Sequence, residues 1–250
     1  MASVRQLDDA ARSLEQSGIT CELLEMNSTS SIVEFSKKVK EWCNNDLNVL
    51  INNAGVAFPV PIEILEPEVL ASQFQINAFG HMHVTRLLLD DLRRCRGRVI
   101  MISSQAAVLS SPMVGAYSAS KRALEALSEA LLMEVGDEIE ISIIRPGPYA
   151  TSIWESSAKI GQRYLGDSSR YRSLALAIQA LSMSRAMPPA SQLADLVMRV
   201  IEAKKMRFIY GAPFSAQLSM LIRRFIPNRL FFKLMTTVIG RKKKSFEAQV

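Results

Sequence analysis

Cysteine is scarce in this chain: three in 250 residues, Cys21, Cys43 and Cys95. They are too few and too scattered for a disulfide framework or a zinc site, and a reducing compartment is the default. The only histidines, His81 and His83, have no Cys or His partner at metal-ligand spacing, so they read as a polar pair on a helix and no metal is expected. Glycine is sparse too, and the first of the 11 is Gly18. Met1 to Gln6 has no apolar core, so no secretory leader is expected and the protein is not expected to be secreted.

Acid is missing from the tail. Residues 204–250 carry eleven Lys/Arg and one acid, a balance of +10, which leaves −4 on the remainder of a chain whose net charge is +6. The basic character therefore belongs to the tail rather than to a nucleic-acid face, and no nucleic-acid motif accompanies it. Hydrophobic residues at 48% and charged ones at 22% are ordinary for a globular α/β protein. The length suits one core domain, placed at 1–212, followed by a basic amphipathic tail at 213–250.

Apolar spacing predicts alternating elements. Val4–Gln16 reads as a helix stopped by Gly18, Ile19–Met26 as a strand, and Ser31–Trp42 as a helix with Asn27 or Ser28 as its cap. A buried strand over Leu47–Ile51 follows, then a long helix over Pro67–Arg94 with Gly80 inside it. Strands over Arg98–Ile102 and Ile139–Ile144 flank a helix over Ala116–Val135. Ala190–Ala203 reads as a helix and Met206–Ile209 as the last strand. Such alternation implies right-handed crossovers and a doubly wound parallel sheet, Rossmann-like, covered on both faces. Ligands of such sheets bind beyond the carboxyl ends of the strands. Asn53, Ser104 and Pro146-Gly147 each follow a strand and so converge on one edge.

The chemistry centres on Tyr117-Ser118-Ala119-Ser120-Lys121, at the start of a helix. Four residues is about one turn, so Tyr117 and Lys121 share a face. An ammonium beside a phenol favours the phenolate, and the pair is expected to lower the Tyr117 pKa and act as a general acid/base on an alcohol oxygen. Ser104 lies 13 residues upstream. Asn52-Asn53-Ala54-Gly55, Asn77, Ser104, Tyr117-x-x-x-Lys121 and Pro146-Gly147, in this order and spacing, resemble the short-chain dehydrogenase/reductase family over roughly residues 3 to 210.

The resemblance implies an oxidoreductase that moves a hydride between a nicotinamide cofactor and a carbonyl/alcohol couple. Tyr117 is then the proton donor and acceptor, and Ser104 rather than neighbouring Ser103 positions the substrate oxygen. Lys121 tunes Tyr117 and holds the nicotinamide ribose, while Asn77 holds a water that relays protons to Lys121. Asn53, Ala54 and Gly55 fall in the segment lining the adenosine ribose, Glu25 where an acid contacts the adenine, and Pro146, Gly147 and Thr151 in the segment holding the nicotinamide end. Arg5, with no acid until Asp8, favours NADP, NAD being the alternative. The family often pairs through the helix of Tyr117 and the long helix before it, which makes a homodimer a candidate assembly.

The chain departs from the family at its start. The family's opening strand and Thr-Gly-x-x-x-Gly-x-Gly turn, which brings the backbone to the pyrophosphate, have no counterpart before Gly18. The chain thus reads as lacking roughly the first 30 to 40 residues of the pattern, one βαβ step. This leaves two expectations: an active enzyme, or an impaired fragment or isoform that holds cofactor poorly and acts through dimerisation or membrane association.

Residues 151–190 occupy the place of the family's substrate lid. With Ile153, Trp154, Tyr164, Tyr171, Leu174, Leu176, Ile178 and Leu181 they suit a lipophilic substrate such as a steroid, retinoid or long-chain lipid. Leu218–Ile239 is apolar but broken by four cations and Pro227, and Arg241-Lys242-Lys243-Lys244 follows. It is a poor membrane span and fits an interfacial segment, with peripheral contact through residues 214–244. The expected location is the cytoplasmic side, peripheral on the endoplasmic reticulum or another intracellular membrane.

Overall fold

The structure, a computed structural model, describes residues 1–6, 8–151, 153, 157, 161, 163–164, 171–183 and 187–247. Six strands are described: β1 Ala2–Val4, β2 Cys21–Leu23, β3 Val49–Asn52, β4 Arg98–Ile102, β5 Glu140–Pro146 and β6 Ile209–Ala212. All their pairings are parallel, but they form two sheets: a two-stranded β1-β2 pair and a four-stranded sheet in the order β3-β4-β5-β6. The described helices are α1 Asp9–Gln16, α2 Thr29–Trp42, α3 Pro67–Phe74, α4 Gly80–Leu87, α5 Leu89–Arg94, α6 Gly115–Val135, α7 Arg172–Met183, α8 Ala190–Ile201, α9 Phe214–Phe225 and α10 Asn228–Glu247. This is the expected Rossmann-like α/β layering.

Period-two alternation explains the layers. Val99 and Met101 of β4 and Ile141 and Ile143 of β5 join one core with α2, α4 and α6 residues such as Phe35, Val84 and Leu124. Ile100, Ile102 and Ile144 point the other way, against Leu193, Leu196, Val197 and Val200 of α8. The second face is closed over β4 and β5 but not over β3. Ile51 pairs in register with Ile100, yet Ile51 is 43% exposed and Ile100 is fully buried.

Several boundaries differ from the sequence reading, each for a local reason. Val4 ends β1 instead of opening a helix; α1 starts at Asp9, where the Asp8 carboxylate accepts from Ala11 N at 3.1 Å. Ser28 caps α2, its Oγ accepting from Ser31 N at 3.2 Å. The long helix is interrupted by a π turn at Gln75–Phe79. Gly80 follows it because a Cβ there would lie 2.8 Å from Met26 Cε and 2.9 Å from the Gln75 carbonyl. The last strand sits at Ile209–Ala212, later than expected, and Pro227 separates α9 from α10. Of the lid residues, Trp154 and the side chain of Leu181 lie outside the described residues.

Candidate active site

The carboxyl ends of β3, β4 and β5 deliver Asn53, Ser104 and Gly147 to one edge. Ser104 is extended (φ −162°, ψ 154°), and its Oγ accepts from Ala106 N at 3.1 Å, which starts a short 3-10 turn, Gln105–Ala107. That turn aims the hydroxyl at α6 and sets it beside the Tyr117 side chain, near enough to oppose the effect of burial on the phenol. Ser103 is turned away: its Oγ donates to Glu125 Oε1 at 2.6 Å, and Glu125 is held by Arg145 at 2.8 and 2.7 Å. Side chains alternate across an extended segment, so one of two adjacent serines enters a part-buried ion-pair network and the other faces the site.

Lys121 is buried one turn along α6, and its Nζ donates to Ile102 O at 2.8 Å. An ammonium has three donors, so this bond anchors it without exhausting it. Burial pulls its pKa down to about 8, with Glu125 opposing. Tyr117 departs from expectation. Its pKa is raised, chiefly by burial, and the neighbouring Ser104 side chain opposes the shift in place of Lys121. The expected lowering of the phenol by the ammonium is therefore corrected: desolvation of the phenolate is the larger effect here.

Asn77 lies fully buried in the π turn. Its Oδ1 accepts from Val56 N at 2.9 Å, and its Nδ2 donates to Val56 O at 2.9 Å and Ser120 Oγ at 3.0 Å. Ser120 in turn donates to Tyr117 O at 2.8 Å. The Asn77 side chain thus ties the loop after β3 to the Tyr117 helix, a positioning task. Gln73 assists: its Nε2 donates to Val56 O at 2.6 Å and its Oε1 accepts from Phe58 N at 2.9 Å.

His81 escaped the sequence reading. Far from a surface polar residue, it is buried, and its Nε2 donates to Ala54 O at 2.7 Å. Burial, then the charge of Lys121, lowers its pKa to about 3, so it is neutral near pH 7. Its partners are Asn52 and Thr85: Thr85 Oγ1 donates to His81 O and accepts from Asn52 Nδ2, both at 2.8 Å. The available signal was the four-residue spacing of Asn77, His81 and Thr85, which puts three polar side chains on one helical stripe. Gln105 was also missed; its Nε2 donates to Ser219 Oγ on α9.

The remaining candidates are less enclosed. Arg5, Asn53, Gly55 and Thr151 are exposed. Glu25 is exposed, and its Oε1 accepts from Asn27 N at 3.1 Å. A Cβ at Gly55 would lie 3.5 Å from Asn77 Oδ1 and 3.6 Å from Lys121 Nζ, so Gly55 borders the buried cluster. Gly147 admits no side chain, since a Cβ there would come within 2.8 Å of Ala216 Cβ. The structure thus brings Ser104, Tyr117, Lys121, Asn77, Ala54 and Gly55 together, and leaves Arg5 and Glu25 on the separate β1-β2 side. Among the described residues no group of three His, Cys, Asp or Glu is placed to hold a metal.

A short chain dehydrogenase family profile matches residues 2–160. The chain is 37% identical over 176 residues to an NADPH-dependent 3-dehydrocapnine reductase of Ornithobacterium rhinotracheale, covering 65% of this chain and 60% of that one. It is 29% identical over 244 residues to dehydrogenase/reductase SDR family member 7B of Rattus norvegicus, covering 96% and 70%. A short chain dehydrogenase from Burkholderia cenocepacia J2315 solved in complex with NADP superposes with a TM-score of 0.69 at 18% identity, covering 94% and 85%. The chain spans about half to three fifths of the length of several curated relatives. With its layered α/β fold and a profile match over more than half its length, the chain belongs to the short chain dehydrogenase family.

Proposed function

We propose that the protein is an NADP-dependent oxidoreductase that interconverts an alcohol and a ketone or aldehyde on a lipophilic substrate. The observation carrying this reading is the placement of the Ser104 side chain beside that of Tyr117 at the strand edge, with Lys121 buried one turn away. Two hydroxyls set side by side can reach one shared carbonyl oxygen. Support for NADP is Arg5 at the end of β1 with no acid before Asp8, the NADPH dependence of the Ornithobacterium reductase and the NADP in the Burkholderia structure. Support for a lipophilic substrate is the apolar character of α7, where half-buried Leu174 and Ile178 share a face one turn apart.

The residues present fit one end of such a cofactor. Lys121 has donors beyond its bond to Ile102 O, and the Ala54–Gly55 backbone runs beside it, which suits ribose hydroxyls. The pyrophosphate end meets no glycine-rich turn among the described residues. When bound, the cofactor supplies or accepts the hydride. The chain's own residues handle the oxygen. Ser104 donates to the substrate oxygen and stabilises charge growing there. Tyr117 gives that oxygen its proton during reduction and takes it back during oxidation. Its raised pKa keeps the phenol protonated near neutral pH, the form that reduction requires. Asn77 holds the Val56 loop and Ser120 in place so that Tyr117 keeps its position.

The test is NADPH-dependent reduction of lipophilic ketones by the chain and by Tyr117→Phe. Turnover is expected to fall by about 10³-fold in the variant; retention of more than a few per cent would remove Tyr117 as the acid/base. A second reading is a fragment or isoform that keeps the proton-transfer residues and does not hold cofactor. The observation favouring it is the division of the strands into two sheets, with Ile51 of β3 uncovered. A nucleotide titration separates the two.

A further inference from the structure

Helix α9 is amphipathic with its apolar side outward. Phe214, Leu218, Leu221, Ile222 and Phe225 recur at helical spacing, and all five are exposed, Phe214 and Phe225 at 76%. The opposite side holds α9 to the domain. Ala216 is buried against Gly147, and Ser219 accepts from Gln105. A surface helix normally turns its apolar stripe to the core; here five large side chains are 44–76% exposed.

α10 follows α9 across Pro227 and carries exposed apolar residues of its own. Arg223 closes the hairpin, donating to Ile226 O at 3.1 Å and to Asn228 Oδ1, with its guanidinium 4.3 Å from the Phe231 ring centroid. Ile239 is buried and Phe231 and Met235 are half-buried, lining a small cavity with Ser110 and Pro112, so they fix α10 to the domain. Leu230, Phe232, Leu234 and Val238 stay exposed, interleaved with exposed Arg224, Arg229, Lys233 and Arg241. No Asp or Glu occurs from residue 203 to 246. No helix among the described residues is long and apolar enough to cross a membrane.

We propose that the α9–α10 hairpin is a docking surface for an anionic lipid bilayer, its leucines and phenylalanines entering the headgroup–acyl boundary while its arginines and lysines meet the lipid phosphates. Charge chooses among the occupants. Two copies of this face would set Arg224, Arg229 and Lys233 against their own kind, which disfavours a self-interface. An anionic bilayer satisfies both the apolar stripe and the cations. The docking does not depend on the oxidoreductase reading. It does have a consequence for the site, because Gln105, the residue after Ser104, is bonded to α9, so the mouth beside Ser104 stays close to the bound surface.

The experiment is co-sedimentation of the full chain with vesicles of phosphatidylcholine alone and of phosphatidylcholine with phosphatidylserine. Binding is expected to the mixed vesicles and to be about tenfold weaker to phosphatidylcholine alone or at high salt. Leu221→Glu with Phe225→Glu is expected to abolish sedimentation and leave the thermal midpoint unchanged, since both side chains are already exposed. Arg224→Glu with Lys233→Glu is expected to remove the preference for phosphatidylserine. The proposal is overturned if the wild type sediments with neither vesicle, or if the Leu221/Phe225 variant binds as well as wild type. A dimer that those two substitutions dissociate, in a wild type that ignores vesicles, would identify a second copy as the occupant.

Discussion

The two halves of the catalytic edge are built to different standards. On the β4–β5–α6 side the candidate groups are fixed by hydrogen bonds. Ser103, Glu125 and Arg145 form a part-buried network, Lys121 is anchored to Ile102 O, and Asn77 joins the Val56 loop to Ser120. On the β1–β2 side the candidates Arg5 and Glu25 are exposed, the strands are three residues long, and no ladder joins them to β3. Proton transfer depends on atoms held within fractions of an ångström, whereas binding a phosphate-bearing nucleotide depends on backbone donors at a helix N-terminus. The buried polar groups lie on the side of the candidate proton-transfer residues.

The contrast can be broken by substitutions ordered by size of effect. Tyr117→Phe should reduce turnover by about 10³-fold while nucleotide affinity stays within a few-fold. Next come the register partners Ile100 and Ile51, which share one face of the sheet. Ile100→Ala should cost about 2–5 kcal/mol in chemical denaturation, and Ile51→Ala under about 1 kcal/mol because its side chain already meets water. Equal costs would mean that the face over β3 is covered as well as the face over β4.

The adjacent serines give a third comparison. Ser104→Ala should lower kcat by about 10²-fold with little change in stability. Ser103→Ala should leave kcat within a few-fold and cost about 1 kcal/mol through its lost bond to Glu125. Reversed phenotypes would move the substrate-positioning role to Ser103.

Two buried bases set the pH-linked effects. His81 has a folded pKa of about 3 against 6.5 for the free side chain. The unfolded chain therefore binds the extra proton between these values, and stability should rise with pH across that window. His81→Gln should flatten the slope in acid denaturation curves. Lys121 is lowered to about 8 from 10.5, so by the same sign stability should also rise with pH from about 8 to 10.5, and Lys121→Met should remove that rise.

Much of the proton-transfer half was legible because it is written in short-range spacing. One helical turn links Tyr117 to Lys121, and the polar residues just after apolar runs mark strand ends. The 13-residue interval favours Ser104, and in the structure the neighbouring Ser103 is bonded to Glu125. What escaped depends on burial and long-range packing. His81 looked like a surface residue because nothing local shows that the Ala54 carbonyl sits over its ring. The rise of the Tyr117 pKa escaped because Coulomb attraction can be guessed from spacing and desolvation cannot. The interruption of the long helix at Gln75–Phe79 needed Met26 from a distant loop, against which Gly80 packs. The inward and outward sides of α9 could not be told apart by pattern alone, since an apolar stripe marks the core in most helices.

The most direct measurement is an equilibrium titration of the chain with NADPH, followed by single-turnover reduction of a lipophilic ketone in the same sample. Saturable binding, about tenfold weaker in Lys121→Ala and nearly unchanged in Tyr117→Phe, with hydride transfer only when Tyr117 is present, is the result predicted. No detectable NADPH binding, or equal hydride transfer with and without the Tyr117 hydroxyl, would contradict the enzymatic reading.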